Sequence, residues 1–331
     1  MRFPEFSGEW VETELQDIVP NICSGKDRIS NSGEVALYGS TGVIGRTNSA
    51  SYKENIVLVA RVGANAGQMQ IGNAPCGVTD NTLVIDAKEW NYYIYYFLQH
   101  YNLNRLVFGS GQPLITGGML KRIKVRYGCK AERNNITRLL CLIDERIATQ
   151  NKIIEKLESL IKGIADKLFQ TARETKLLLE LAPNITSGTD KNGSGTIPLY
   201  GSTGIIGKVK NASQKGNIVL VARVGTIGTV QYVKEPCGVS DNALIVEAGE
   251  MTKYIYHFLK TYKFAHITSG TTQPLITASS LKKIAVPTYD IERQTQIVLC
   301  LNILERKLDI EKQYLSDIAM MKQYLLHQMF I

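Results

Sequence analysis

From Ile136 onward the apolar residues of this chain recur at steps of four and three: 136, 140, 143, 147, then 154, 157, 161, 164 and 168, with Gln150 in the missing position. A heptad stripe held this long predicts a helix that packs on another helix as a coiled coil. The pattern returns near the end as Ile297, Leu301, Leu304, Leu308, Leu315, Ile318, Leu325 and Met329. Glu311 falls there where Gln150 does, and Lys322 interrupts where Ile161 sits. Ahead of the first stripe the period is different. Asn55–Val62 (NIVLVARV) and Asn81–Ile85 (NTLVI) are β-branched runs that predict strands, punctuated by glycines at 39, 42, 45, 63, 67, 72 and 77. Lys88–Tyr101 predicts a helix, with Tyr93, Tyr96, Phe97 and Tyr101 near helical spacing. Leu120–Val125 predicts a last strand, and residues 1–36 read as turns and loop around short strands.

The whole pattern occurs twice. Leu37–Gly63 (LYGSTGVIGRTNSASYKENIVLVARVG) returns as Leu199–Gly225 (LYGSTGIIGKVKNASQKGNIVLVARVG), with 20 of 27 positions identical. Pro75–Asn81 (PCGVTDN) returns at Pro236–Asn242, Gly111–Thr116 (GQPLIT) at Thr272–Thr277, and Leu120–Val125 (LKRIKV) at Leu281–Val286. A repeat of half the chain is far longer than any solenoid unit, so each copy is expected to be a domain followed by a helix. The strand-rich half and the helices make each copy α+β. The expected divisions are a first domain at 1–130, a long helix at 131–175, a second domain at 176–289 and a second long helix at 290–331. Each helix alone would leave its stripe in water. Antiparallel packing of the two within the chain covers both, and pairing between chains is the alternative. From Ile136 to Leu168 such a helix spans roughly 50 Å, a rigid spacer, and the polar seam residues Gln150 and Glu311 can fix its register.

Composition narrows the function. The 331 residues suffice for two cores, and 44% apolar with 21% charged describes an ordinary globular chain. No apolar run approaches 18 residues, and MRFPEFSGEW lacks the features of a signal peptide, so a membrane span is not expected and a cytoplasmic location is. The six cysteines form no CxxC pair; Cys76 and Cys237, equivalent in the repeat, read as small core residues in a reducing compartment. A net charge of +8 favours a polyanionic partner such as nucleic acid.

Catalytic motifs are missing. No two prolines are adjacent, so the Asn-Pro-Pro-aromatic motif of adenine methyltransferases is absent. Gly201–Lys208 is not a phosphate loop, because Ser202 stands at its first glycine and Val209 where a hydroxyl must hold magnesium. There is no HExxH and no GxSxG, and none of the four histidines has a repeat partner. Asp80 and Asp241 are conceivable as a shared enzymatic pair; the simpler reading is that each Asp-Asn caps a turn.

The opening MRFPEFSGEW, the twice-occurring GxxQPLITxxxLKxIxV and the ER-containing helices that follow resemble the DNA-specificity subunits of type I restriction-modification systems, over essentially the whole chain. The resemblance implies two repeated globular target recognition domains joined by two long antiparallel coiled-coil helices. It implies no catalytic activity and no cofactor in this chain. The implied partners are double-stranded DNA, two methyltransferase subunits that use S-adenosylmethionine, and restriction/translocase subunits that use ATP and magnesium. The second half departs from the pattern: it has no copy of RFPEFSGEW, and TARETKLLLELAPN leads in instead. A duplicated protein-binding adaptor without DNA specificity is the competing class.

For DNA contact the candidates are paired. The glycine-rich loops supply Tyr38, Ser40 and Thr41, with Tyr200, Ser202 and Thr203. Arg61 and Arg223, at the ends of the identical strands, fit a guanine or a phosphate, or a structural ion pair. Arg46, Lys53, Lys208, Lys210 and Lys215 are candidate phosphate ligands. Gln112 and Gln273 either read adenine or hold a loop. Two similar domains inverted by antiparallel helices are expected to read a near-palindromic, interrupted target.

Overall fold

The computed structural model describes residues 2–19, 21–107, 113–269 and 274–330. The chain forms two units, Met1–Asn151 with Gln313–Ile331, and Lys152–Lys312. In the first unit the order is β1 (Val11–Glu14), α1 (Leu15–Ile18), β2 (Ile22–Ser24), β3 (Val35–Gly39), β4 (Gly42–Thr47), β5 (Ile56–Ala60), β6 (Met69–Gly72), β7 (Cys76–Val78) and β8 (Thr82–Ile85). Then come α2 (Asn91–Tyr101), α3 (Gly117–Lys121), β9 (Lys124–Tyr127) and the long α4 (Lys130–Gln170).

The run NIVLVARV is apolar without alternation because β5 is covered on both faces. It lies inside a four-stranded antiparallel sheet of order β2-β8-β5-β6. Val57, Val59, Leu83 and Ile85 pack toward Tyr93, Ile94, Phe97 and Leu98 of α2. Ile56, Leu58 and Val84 pack the other way, against Tyr38, Cys76 and Val78 of a three-stranded sheet ordered β4-β3-β7. The period of two thus divides one strand between two cores, giving a helix layer, a four-stranded sheet and a small sheet.

The second unit repeats this. After α4 come β10 (Glu174–Leu177), α5 (Leu178–Leu181), β11 (Asn184–Ser187), β12 (Ile197–Gly201), β13 (Gly204–Val209), β14 (Ile218–Ala222), β15 (Val230–Val233), β16 (Gly238–Val239) and β17 (Ala243–Glu247). They are followed by α6 (Thr252–Thr261), α7 (Ala278–Lys282), β18 (Ala285–Thr288) and α8 (Ile291–Met329). Val219, Val221, Leu244 and Val246 face α6, and Ile218, Leu220 and Ile245 face Cys237 and Val239.

Two expectations change. Leu120–Val125 is not all strand: Thr116 accepts a hydrogen bond from the Met119 amide at 3.2 Å, so the chain first makes the turn of α3 and becomes extended only at Lys124. RFPEFSGEW has no copy in the second half, as expected, but the lead-in there does more than take its place. β10, α5 and β11 repeat β1, α1 and β2, with β10 on β18 as β1 is on β9, and Leu15 and Leu178 are both fully buried. The signal was Asn-Ile-x-Ser-Gly at Asn21–Gly25 and Asn184–Gly188. Ahead of β1, the described residues 2–10 have no counterpart. There the Arg2 guanidinium donates to both carboxylate oxygens of the buried Glu132 at 2.5 and 2.7 Å, and the Trp10 indole donates at 3.1 Å, fastening the entry to the start of α4.

Within each unit the two long helices run antiparallel, so the helices pair inside one chain. In the first unit the Arg146 guanidinium donates to the Tyr314 hydroxyl at 3.3 Å, and Lys322 pairs with Asp144 at 2.6 Å. In the second, Lys312 pairs with Glu158 at 2.7 Å, and Ala165 and Phe169 lie in the core with Ile297 and Leu301. Every seam position is buried or half-buried, Gln150 included, while Glu311 pairs with Lys307. Lys322 serves the seam it interrupts: it neutralises Asp144 and lies 5.4 Å from the ring of Tyr96, whose hydroxyl donates to Asp144 at 2.8 Å.

Each domain is closed by the tail of the helix from the other repeat. Phe330, at the end of α8, sits 5.4 Å from Tyr93 and 5.8 Å from Phe97, edge to face. Phe169, at the end of α4, sits 5.5 Å from both Tyr254 and Phe258. Phe330→Ala and Phe169→Ala are each expected to cost about 3–5 kcal/mol. Hydrogen exchange checks this: protection should fall in α2 for the first variant and in α6 for the second, and not the reverse.

In the second unit His257 replaces Tyr96. It is buried, with Nε2 3.0 Å from Asn302 Oδ1 and Nδ1 3.8 Å from Glu305, which also takes Lys260 at 2.5 Å. Burial holds this imidazole below its ordinary 6.5, and Lys260 and Lys253 push the same way against Glu305 and Asn302. The folded state therefore binds fewer protons than the unfolded one as pH falls through the ordinary histidine value. Stability of this unit is full above that value and declines below it. Protection in α6, taken relative to the intrinsic exchange rate at each pH, should fall between about pH 7 and pH 5, and His257→Tyr should flatten that dependence.

Candidate nucleic-acid interface

The glycine-rich loop is a β-ribbon. β3 and β4 pair from Val35↔Thr47 to Gly39↔Gly42 and close at Ser40-Thr41, with Gly42 at φ +122°, a region that favours glycine. β12 and β13 do the same, with Gly204 at φ +122°. The ribbon is clamped from the neighbouring sheet: Gln70 donates to the Gly39 carbonyl at 2.6 Å, and Gln231 to the Gly201 carbonyl at 3.0 Å. No motif marks these two glutamines in the sequence; their equivalence in the repeat is the one signal of their role. Tyr38 is buried, its hydroxyl accepting from the Asn73 amide at 3.2 Å, so it holds the ribbon from inside; Tyr200 is half-buried.

Four loops converge at the ribbon's tip. The Arg61 amide donates to the Asn81 carbonyl at 2.9 Å, and its own carbonyl accepts from Ile115 at 2.9 Å. The Gly63 amide donates to Pro113 at 3.0 Å, and the Ser40 hydroxyl reaches the Asn81 carbonyl at 3.4 Å. The second unit copies this through Arg223 to Asn242 and Ile276 to Arg223, both 3.0 Å, and through Thr226 to the Ser202 carbonyl at 3.2 Å. Ser40, Thr41 and Arg61 are thereby gathered on one rim, and Ser202, Thr203 and Arg223 on another. Among the described residues neither arginine is in an ion pair. Arg61 donates to the Ser24 hydroxyl at 3.2 Å, and the buried Nε of Arg223 has no acceptor. Gln112 and Gln273 lie outside the described residues.

The remaining cations form a separate group. Arg46, Lys53, Lys208, Lys210 and Lys215 are all exposed. Arg46 lies four residues along β4 from Gly42, about 13 Å from the tip at strand rise, and donates to the Glu34 carbonyl at 2.7 Å. A polyanion along either ribbon would meet Arg46 or Lys208 at one end and hydroxyls with an arginine at the other.

Asp80 and Asp241 are exposed in the turns closed by Thr82 to Thr79 at 3.2 Å and Ala243 to Ser240 at 3.3 Å, as expected of turn residues. The described residues contain no group of three or more histidines, cysteines or acids able to hold a metal ion. Cys76 and Cys237 are fully buried, and burial pushes both thiols up to about 11, which keeps them protonated core residues.

Residues 7–159 and 178–320 match the family model of the type I restriction modification DNA specificity domain. The chain is similar to a protein of Mycoplasma genitalium named as a type I specificity subunit, 23% identical over 92% of this chain and 88% of that one. It is also similar to the MjaVIII type I restriction enzyme specificity subunit of Methanocaldococcus jannaschii, 30% identical over 35% of this chain and 28% of that one. Its fold matches the crystal structure of a type I restriction-modification system S subunit from M. genitalium, with a TM-score of 0.72 at 18% identity, covering 100% of this chain and 99% of the other. A chain from a structure addressing complex assembly and conformational transition of the type I system matches at a TM-score of 0.57, 13% identical over 98% of each chain.

Proposed function

The chain belongs to the family of type I restriction modification DNA specificity domains, a specificity subunit and not a catalytic one, and from that premise we propose that its two domains read a bipartite, near-palindromic double-stranded DNA target while its helices dock two methyltransferase subunits. The observation that carries the reading is the repeated rim, in which a ribbon tip, an arginine without an ion-pair partner among the described residues and an exposed cation further along the ribbon, Arg46 or Lys208, occur once in each domain. Phosphate contacts by the cations would position each domain, and the groups at the tip would specify bases. The charge of +8 suits that partner.

Docking is supported by a second stripe on the helices. On α8, Leu299, Ile303, Ile310, Tyr314, Met321 and Tyr324 follow at steps of 4, 7, 4, 7 and 3, and all are exposed. On α4, Leu142, Ile153 and Leu160 are exposed at the positions equivalent to Ile303, Tyr314 and Met321. A face of this kind is what a partner helix packs on. S-adenosylmethionine would belong to those partners, and ATP and magnesium to restriction/translocase subunits that join them. No described helix is long and apolar enough to cross a membrane, and a cytoplasmic site of action fits a DNA target.

The test is to purify the chain with its methyltransferase partner, sequence the DNA it methylates, and titrate binding with salt. One interrupted motif with half-site centres about 10 bp apart is expected. The logarithm of affinity should fall against the logarithm of salt by about 0.9 for each phosphate neutralised. Absence of any motif together with a flat salt dependence would favour the protein adaptor, which the exposed stripes alone would also serve.

A further inference from the structure

The ribbon carries a feature that the fold does not use. In β4 the partners run Leu37↔Gly45 and then Tyr38↔Val43, so Ile44 is an extra residue, a β-bulge. In β13 they run Leu199↔Gly207 and Tyr200↔Ile205, and Ile206 is the extra one. A regular strand would turn alternate side chains outward. The bulge turns out two in succession: Val43 is 58% and Ile44 46% exposed, Ile205 63% and Ile206 46%. The glycine across the ribbon gives the second side chain room: Ile44 lies over Gly39 and Ile206 over Gly201, where a Cβ would crowd them. Two aliphatic side chains on an edge strand contribute little to the core and invite association.

We propose that these pairs, Val43/Ile44 and Ile205/Ile206, are specificity-determining contacts that read thymine methyl groups in the major groove, an inference that rests on the DNA-reading function above. The thymine methyl is the apolar group the major groove displays, and the groove admits a two-stranded ribbon. Charge complementarity places the ribbon there: Arg46 follows Ile44 by two residues, Lys208 follows Ile206 by two, and both are exposed for phosphate. The two copies keep this chemistry where they differ, Val43 against Ile205 and Arg46 against Lys208, while Asn48 has become Lys210 and Tyr52 has become Gln214. The surfaces are not identical. Exposed Ile29 lies over Gly45 and widens the first apolar patch, whereas Asn192 lies over Gly207 and accepts from the Lys208 amide at 3.0 Å. The first half-site therefore has the larger methyl footprint.

The experiment uses the full chain with its methyltransferase partner and duplexes carrying the motif found by sequencing. Each thymine is replaced in turn by uracil, which removes only the methyl group. Each half-site is expected to contain a thymine whose replacement weakens binding about fourfold, the worth of one buried methyl. Val43→Ala with Ile44→Ala should abolish that sensitivity in one half-site, and Ile205→Ala with Ile206→Ala in the other, with the salt slope unchanged. Alanine variants that retain full affinity and the full uracil effect would overturn the inference. So would variants that bind DNA normally but no longer assemble with the methyltransferase, which would make the pairs a protein interface. A wild-type complex that selects no motif would instead overturn the DNA-reading function itself.

Discussion

Each domain has an α-helical face that its own repeat does not cover, and the aromatic closure by Phe330 and Phe169 is the interaction on which the rest depends. Tyr93 and Phe97 of α2, and Tyr254 and Phe258 of α6, need a ring laid edge to face against them. That ring comes from the tail of the long helix of the other repeat. The requirement explains why the two long helices are of similar length, 41 residues in Lys130–Gln170 and 39 in Ile291–Met329. It also explains why they pair antiparallel inside the chain. A shorter helix would leave α2 or α6 open to water, and a parallel pair would bring the wrong end to it.

The rim is built outward from the buried strand. β5 is covered on both faces, so its end at Ala60 is fixed, and Arg61 follows with both backbone groups committed, to Asn81 and to Ile115. The ribbon is placed by Tyr38 from within and Gln70 from the side. What these contacts leave uncommitted is the outer surface of β4, where the bulge stands. A rigid interior with a variable outer ribbon is a workable design for a reader, because surface substitutions there need not disturb the layers beneath.

Much of this was legible in the residues. The heptad seam announced both helices and their pairing, since no other arrangement in one chain buries both stripes. The unbroken run at Asn55–Val62 announced a doubly covered strand. Other features were hidden for physical reasons. Leu120 is apolar in either state, and what makes it helical is the hydroxyl of Thr116 capping the turn. β10 was obscured because its residues Glu174–Leu177 are all exposed and carry no hydrophobic period. Tyr38 looked like a surface hydroxyl within a glycine-rich loop, and only the cross-strand pairing shows it pointing inward. The bulge depends on a register shift that no spacing within one strand reveals.

The near-identity of the copies needs a physical reading of its own. All nine residues of Asn55–Gly63 return unchanged at Asn217–Gly225, and they contain the strand in which every residue is buried in both units. Identity there follows from packing, since a doubly covered strand tolerates little change in volume. It carries no information about a shared target. Of the seven differences in the 27-residue segment, those at 43, 46, 48, 49 and 54 fall on exposed residues of the first copy. The interior preserves the fold, and the divergence collects on the outer ribbon and the turn after it. If the half-sites differ, on the proposed reading the difference belongs to that surface, which carries Ile29 in one unit and Asn192 in the other.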